Sequence, residues 1–386
     1  MNEGLDSDDI QALAGGVRRF MNERVVPHVQ QWEDAGEFPR ELYTQAGALG
    51  LLGLGYPYEF GGTPAPFAIR NALFVAMGNW GASGGVLAGL FSHNIALPPL
   101  LRHGTESLQQ EVIPAVLRGE KIAALAITEP GGGSDVAALR TTARRDGDHY
   151  VIDGEKVFIT SGMRADWITV AVRTGEPGTR GISIIVVPGD TPGLSRTRLD
   201  KMGWLCSDTA QLRFDGVRVP ARYLVGDEGT GFRTIMANFN GERMVMAAMA
   251  LGFSQACYDE ALAWARDRRA FGTALVEKEV IRHKLVDMQM RIRATEAWLN
   301  SVTALADSGP AVLETDADCI AQVCMLKNQA TQTMQFCADQ AVQILGGMGY
   351  MRGTKSERIY REVKVMMIGG GAEEIMKDLA ARQLEL

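Results

Sequence analysis

The pattern of apolar positions changes period twice along the chain. Residues 6–55 carry helical spacing. Val17, Phe20, Met21 and Val25 recur every three or four residues, and Leu42, Ala46 and Leu49 do so again after the start at Phe38-Pro39. Gly61 to Pro66 reads as a Gly/Pro loop. From Ile69 to Leu101 the chain is apolar and rich in small residues (Gly78, Gly81, Gly84, Gly85, Gly89), which predicts closely packed helices, and one more helix follows over 108–118. The period then shortens. Tyr150 to Ile159 reads as a hairpin turning at Asp153-Gly154, and Trp167–Val172, Ile182–Val187 and Gln211–Val219 are short, β-branched and bounded by Gly, Pro or Asp. Helical spacing returns over 231–266, 277–307, 311–345 and 372–384, the last with an apolar stripe of Ala372, Ile375, Met376 and Leu379.

Helices, then strands, then helices is an α+β order. It predicts an N-terminal helical domain over 1–120, a barrel-like or sandwich β domain over 121–226 and a four-helix bundle over 227–386. The 386 residues, 46% hydrophobic, suffice for two or three domains. A Rossmann fold is excluded by the order, and Gly346-Gly347-Met348-Gly349 follows a helix with the wrong spacing. A net charge of −7 argues against nucleic acid as a partner. The five cysteines (Cys206, Cys257, Cys319, Cys324, Cys337) contain no C-x-x-C pair, and their odd, scattered count suits a reducing compartment. No histidine has metal-ligand spacing; His93, His103 and His283 are singletons. No apolar run approaches the roughly 18 residues of a membrane span, and the N-terminus MNEGLDSDDI is acidic without a signal-peptide core, so a cytoplasmic location away from membranes is expected.

The densest chemistry lies in Ala126-Ile127-Thr128-Glu129-Pro130-Gly131-Gly132-Gly133-Ser134-Asp135. Three glycines can take positive φ and admit a ligand closely. Thr128 and Ser134 add hydroxyls to bare N–H groups, a set suited to a nucleotide cofactor's phosphates or polar ring edge. An isolated GGG would be read as an ordinary turn. This one is similar to the Thr-Glu-Pro-x-x-Gly-Ser-Asp signature of acyl-CoA dehydrogenases, and four further motifs follow in that family's order. Phe158-Ile159-Thr160-Ser161-Gly162 resembles a strand whose aromatic residue packs near the flavin and whose hydroxyl bonds the ring edge. Met202-Gly203 through Cys206-Ser207-Asp208-Thr209 resembles Met-Gly-x-x-x-Ser-Asp-Thr. Arg268-Arg269-Ala270-Phe271-Gly272 resembles Arg-x-x-Phe-Gly, and Gln343-Ile344-Leu345-Gly346-Gly347 resembles Gln-x-x-Gly-Gly. In relatives the last two clasp the FAD of a neighbouring subunit. Read alone, Arg268 is a solvated helix end, Phe158 a core residue and Gln343 a backbone partner.

The resemblance implies FAD held by Ile127, Thr128, Gly133, Ser134, Phe158, Thr160, Arg268, Phe271, Gln343, Gly346, Gly347 and Glu374. It implies an acyl-CoA contacting Ser134, Phe239, Arg243, Gly370 and Gly371, a homotetramer, and an electron-transferring flavoprotein as acceptor. The base departs from the commonest pattern. Where short- and medium-chain members carry the catalytic glutamate in Tyr-Glu-Gly-Thr, this chain reads Ile368-Gly369-Gly370-Gly371-Ala372-Glu373-Glu374-Ile375, with Gly370 in the glutamate's place. The long-chain and isovaleryl branches use an earlier Glu-Arg-Leu/Met, matched here by Gly241-Glu242-Arg243-Met244. Glu242 shares a helix face with Val245, Met246 and Met249, where burial raises a carboxylate pKa toward neutrality. A surface glutamate on a long helix is the plain alternative. Glu279 replaces a frequent FAD-contacting Gln and Ala372 the usual Thr. Gly370 leaves room near the reacting carbons, and Val86, Gly89 and Leu90 lie where relatives end the acyl pocket, which permits a long or methyl-branched chain. The resemblance thus implies α,β-dehydrogenation to a trans-2-enoyl-CoA. An oxygen-using acyl-CoA oxidase is the second reading, disfavoured by the absence of an extra C-terminal domain, and a non-catalytic acyl-CoA-binding protein is the third.

Overall fold

The computed structural model describes residues 7–386 apart from Ala82 and Pro310. The first six residues of the acidic N-terminal stretch, where the first predicted helix and domain begin, lie outside the described residues. Helices Ser7–Phe20, Val29–Ala35, Glu41–Ala48, Phe67–Trp80, Gly84–Leu90 and Glu106–Leu117 form most of the first third. A sheet follows, and then helices Gly231–Asp267, Glu279–Asp307, Ala317–Leu345, Lys355–Ile368 and Glu373–Gln383. The α+β order read from the sequence holds. The predicted 311–345 helix is interrupted, because Asp316 accepts from Cys319 N (2.8 Å) and starts a new helix after the short turn Val312–Thr315. Helix Lys355–Ile368, absent from the sequence reading, is capped by Thr354, which accepts from Glu357 N at 3.2 Å.

The strands are β1 (Ala123–Ala126), β2 (Thr142–Asp146), β3 (His149–Thr160), β4 (Trp167–Arg173), β5 (Ile182–Pro188), β6 (Leu194–Arg198), β7 (Thr209–Pro220) and β8 (Leu224–Val225). Among the described residues their order is β6-β7-β3-β2-β4-β5-β8, with β1 parallel to β4 from Ala123↔Trp167 to Ala126↔Val170. The end strands β6 and β8 do not pair, so the sheet is open. Tyr150 to Ile159 is not a hairpin. It is one strand, and Gly154 (φ +145°) sits at a register shift against β7, so the Asp-Gly step is a bulge. The turn comes earlier, at Gly147-Asp148, joining Asp146 to its partner His149.

Among the described residues two large apolar cores result, beside a small cluster of Ala321, Cys324, Met376 and Ala380. One fills the sheet (Ile152, Ile168, Val170, Ile185, Leu212). The other joins the first and last helical segments (Val17, Phe74, Met77, Met244, Phe253, Met334). In the second core, helix Phe67–Trp80 crosses helix Gly231–Asp267 backbone to backbone. A Cβ on Gly252 would come within 2.2 Å of the Val75 carbonyl oxygen, and one on Gly78 within 3.2 Å of the Gly252 backbone. Replacing Gly252 by Ala is therefore expected to cost about 1–3 kcal/mol through forced separation of the two helices. Gly131→Ala, whose methyl meets nothing within 4 Å, should shift stability by no more than about 0.5 kcal/mol. Chemical denaturation of both variants measures the difference, and equal midpoints would refute the crossing as a packing constraint.

Candidate active site

Between the sheet and the two helical segments lies a cavity of about 2100 Å³. The motif loop forms one wall. It begins where β1 ends, and it is held from within by charge. Lys156, fully buried, donates to Ile127 O (2.9 Å) and Glu129 Oε1 (2.8 Å). Glu129 also accepts from Arg140 N (2.6 Å) and Thr141 N (2.8 Å), while Val157 N donates to Thr128 O (2.8 Å). Burial lowers the Lys156 pKa to about 8 despite the pull of Glu129. For Glu129, burial pushes upward but the Lys156 charge and the hydrogen bonds prevail, holding its carboxyl below the usual range. Both groups are charged at neutral pH. The three glycines do not use the freedom the sequence offered: none of Gly131, Gly132 or Gly133 has positive φ, and a Cβ on Gly131 or Gly132 would meet open space. The loop's shape comes from the Glu129–Lys156 pair and the Glu129–Gly132 backbone bridge instead.

Ile127, Thr128, Gly133, Ser134, Phe158 and Thr160 all line the cavity. Phe158 is 69% exposed at φ +63° and presents its ring to the cavity instead of packing in the sheet core.

Helix Gly231–Asp267 supplies the opposite wall through Phe239, Glu242, Arg243, Val245, Met246 and Met249. Glu242 is partly exposed as a residue, yet its Oε2 is cut off from solvent and has no hydrogen-bond partner among the described residues. Burial raises its pKa to about 7, against the lowering pull of Arg243 and Lys327. Neither cation is close enough to form an ion pair with it. Arg243 is spent on Gly370 O (Nε, 3.0 Å) and Asn240 Oδ1 (Nη1, 2.8 Å), with its guanidinium 5.6 Å from the Phe239 ring centre. Lys327 is spent on Met367 O (3.1 Å) and Gly371 O (2.8 Å), and burial lowers its pKa to about 8.

These bonds fix the Gly369–Ala372 turn, with Gly370 at φ +66° and Gly371 at +115°. The Gly370 N–H has no acceptor among the described residues and lies on the cavity. Gly370 is less roomy than the sequence implied, since a Cβ there would sit 2.9 Å from the Met246 sulfur. The proposed end of the acyl pocket also moves. Val86 and Leu90 are buried in the helical core, and Gly89 abuts Phe38, whereas Leu87, Ala88 and Phe91 reach the cavity.

Arg268, Phe271, Gln343, Gly346, Gly347 and Glu374 are exposed and do not line this cavity. Arg268 precedes a two-residue hairpin whose tip is Phe271-Gly272, both at positive φ, with Phe271 99% exposed. Glu279, also exposed, lies 3.6 Å from His283. Ala372 lies on the cavity. The sequence reading missed Lys156 and Lys327. The second left a trace, because it interrupts the apolar stripe of Val323, Ala330 and Met334.

The family model for the acyl-CoA dehydrogenase N-terminal domain matches residues 7–120, that for the middle domain 124–217, and that for the C-terminal domain 229–385. The chain belongs to the acyl-CoA dehydrogenase family. Rat mitochondrial long-chain specific acyl-CoA dehydrogenase is 34% identical over 95% of this chain and 84% of its own. Cyclohexane-1-carbonyl-CoA dehydrogenase of Geobacter metallireducens is 33% identical over 98% of each. The acyl-CoA dehydrogenase structure from Geobacillus kaustophilus superposes with a TM-score of 0.92 at 34% identity, covering all of both chains. Family members are FAD-dependent oxidoreductases acting on acyl-CoA. The cavity suits that cofactor: it joins a hydroxyl- and N–H-bearing loop to an exposed aromatic ring. No single helix among the described residues is long and apolar enough to cross a membrane.

Lys156→Met should leave Glu129 buried and unpaired, costing about 3–5 kcal/mol. Removing the exposed Arg293–Glu296 pair should cost under about 1 kcal/mol. Unfolding free energies of the two variants test whether the loop's anchor is this buried pair.

Proposed function

We propose that the chain removes the α-proton and β-hydrogen of an acyl-CoA thioester, with Glu242 as the base. The observation that carries this reading is a cavity-lining carboxylate with an orphaned oxygen and a pKa near 7, where a base is half-ionised at working pH. The unpaired Gly370 N–H is the donor for the thioester carbonyl, whose oxygen gains charge as the α-proton leaves. Arg243, which lines the cavity, and Lys327 bond the protein's own backbone. They fix the turn that presents this N–H, and their charge limits how far Glu242 is pushed up. FAD, when bound, supplies the acceptor for the β-hydrogen and its electron pair. Thr128, Ser134, Phe158 and Thr160 hold and orient it from the loop and β3. Arg268, Phe271, Gln343, Gly346, Gly347 and Glu374, exposed here, serve the FAD of a neighbouring subunit in a homo-oligomer. The acyl chain is medium to long or methyl-branched, and an electron-transferring flavoprotein takes the electrons.

Glu242→Gln should retain FAD and bind acyl-CoA yet lose flavin bleaching by at least roughly 10²–10⁴-fold, since the amide cannot accept a proton. Near-normal anaerobic bleaching would eliminate Glu242 as the base. Only the carboxylate form works, so kcat/KM of the unaltered enzyme should rise with pH through a limb near 7. That limb should vanish from the residual activity of Glu242→Gln.

Arg268→Ala and Gln343→Ala should both weaken FAD retention and promote dissociation on dilution, because a ligand bound at an interface stabilises the assembled state by mass action. Fully flavinylated, dilution-resistant oligomers from both variants would overturn the cross-subunit assignment.

A further inference from the structure

The same cavity holds a cation that the chemistry above does not use. Arg70, on helix Phe67–Trp80, lines it together with Phe67, Phe74, Phe91 and Asn94. Its guanidinium carbon stands 4.8 Å from the Phe67 ring centre, and the Phe67 ring edge would lie 3.5 Å from a Cβ on Gly241, the residue before Glu242. Phe67 thus lies against both Arg70 and the helix turn that carries the base, and all three line one cavity.

Among the described residues no carboxylate lies within 4 Å of the guanidinium, and no side chain or carbonyl accepts a hydrogen bond from it. The nearby acids are committed elsewhere. Asp307 accepts from Phe67 N (2.8 Å) and Ala68 N (2.9 Å), its charge set against the positive N-terminus of that helix, and Glu314 pairs with Arg102. Gly55, at φ +91°, lets the backbone lie under the guanidinium, which a Cβ would strike at 3.0 Å. Burial lowers the Arg70 pKa, with Tyr56 and Asp307 acting in the opposite direction. A pocket for a plain hydrocarbon tail gains nothing from a half-buried guanidinium that no anion contacts directly.

Resting on the acyl-CoA reading above, we infer that Arg70 recognises a carboxylate at the far end of the acyl chain, so that the preferred substrates are CoA monothioesters of dicarboxylic acids. A guanidinium matches a carboxylate by two parallel N–H···O bonds.

The test compares anaerobic flavin bleaching by two length-matched series, methyl-ended acyl-CoAs and their ω-carboxyl counterparts, in the unaltered enzyme, Arg70→Met and Arg70→Lys. The unaltered enzyme should favour the ω-carboxyl member at its best length by roughly tenfold to hundredfold in kcat/KM, the range of a charge-assisted hydrogen bond. Arg70→Met should abolish or invert that preference while keeping FAD and bleaching with methyl-ended chains, and Arg70→Lys should restore part of it. Bleaching by methyl-ended but not ω-carboxyl chains in the unaltered enzyme would overturn this inference and leave the dehydrogenase reading standing. An unchanged preference in Arg70→Met would also overturn it. Failure of every acyl-CoA to bleach would overturn both. Because the first comparison uses the unaltered enzyme, a misfolded variant does not remove the test.

Discussion

The crossing of helix Phe67–Trp80 over helix Gly231–Asp267 is the constraint from which the cavity follows. At Gly252 the two backbones meet so closely that a single methyl has no place. From that point the long helix runs back past Met249, Met246, Arg243 and Glu242 toward the sheet, and every one of these side chains reaches the cavity. The other helix carries Phe67, Arg70 and Phe74 to the same space. Two helices in near contact at one place and separated by a chamber at another are held rigid by the contact, since packed interiors resist small displacements. The depth at which Glu242 sits is then set by packing several turns away from it.

Electrostatics within the chamber follow a consistent division. Three of the charges that shape the chamber bond to backbone: Arg243 to Gly370 O, Lys327 to Met367 O and Gly371 O, Asp307 to two N–H groups. Glu242 Oε2, by contrast, has no partner among the described residues. An ion pair between Glu242 and either neighbouring cation would have pulled its pKa down and weakened it as a base. Committing both cations to the 367–371 backbone leaves their field but removes their contact. The outcome is a carboxylate near neutrality beside a turn whose Gly370 N–H has no acceptor among the described residues.

The order of elements was legible because periodicity reports which face is buried, and that does not depend on partners distant in sequence. What the sequence concealed were features decided by tertiary contact. Asp153-Gly154 has the composition of a hairpin turn, but β7 pairs along both sides of it and converts it into a bulge. Helix Lys355–Ile368 carries Arg358 and Glu362 on its buried face, where Glu362 accepts from Gly84 N at 3.0 Å and Arg358 donates to Gly81 O at 3.1 Å, so its apolar stripe is broken in the sequence. Val86, Gly89 and Leu90 were placed by the resemblance to relatives, and one residue of helix rotation brings Leu87 and Ala88 to the cavity in their stead. The loop motif, Phe158, Phe239 and Glu242 were legible as a set and do meet. Lys156 was not, because a lysine in an alternating strand ordinarily faces water.

Two aromatic residues add a physical argument about what the folded chain lacks. Phe158 and Phe271 occupy left-handed backbone at φ +63° and +54°, a region costly for bulky side chains. Burial ordinarily repays such strain, but these rings are 69% and 99% exposed. Folding of the single chain therefore gains little from either ring. The backbone around each is determined by its neighbours: Phe158 by the register shift between Lys156 and Ile159, Phe271 by a two-residue turn between paired strands. Rings held out in this way already have the conformation in which a flat partner can stack on them, so the ordering cost is met before binding. Phe158 faces the cavity, and Phe271 stands on a surface that the chain by itself leaves uncovered. A ligand at the first and a second protein surface with its ligand at the second would each recover apolar area that folding alone leaves in water.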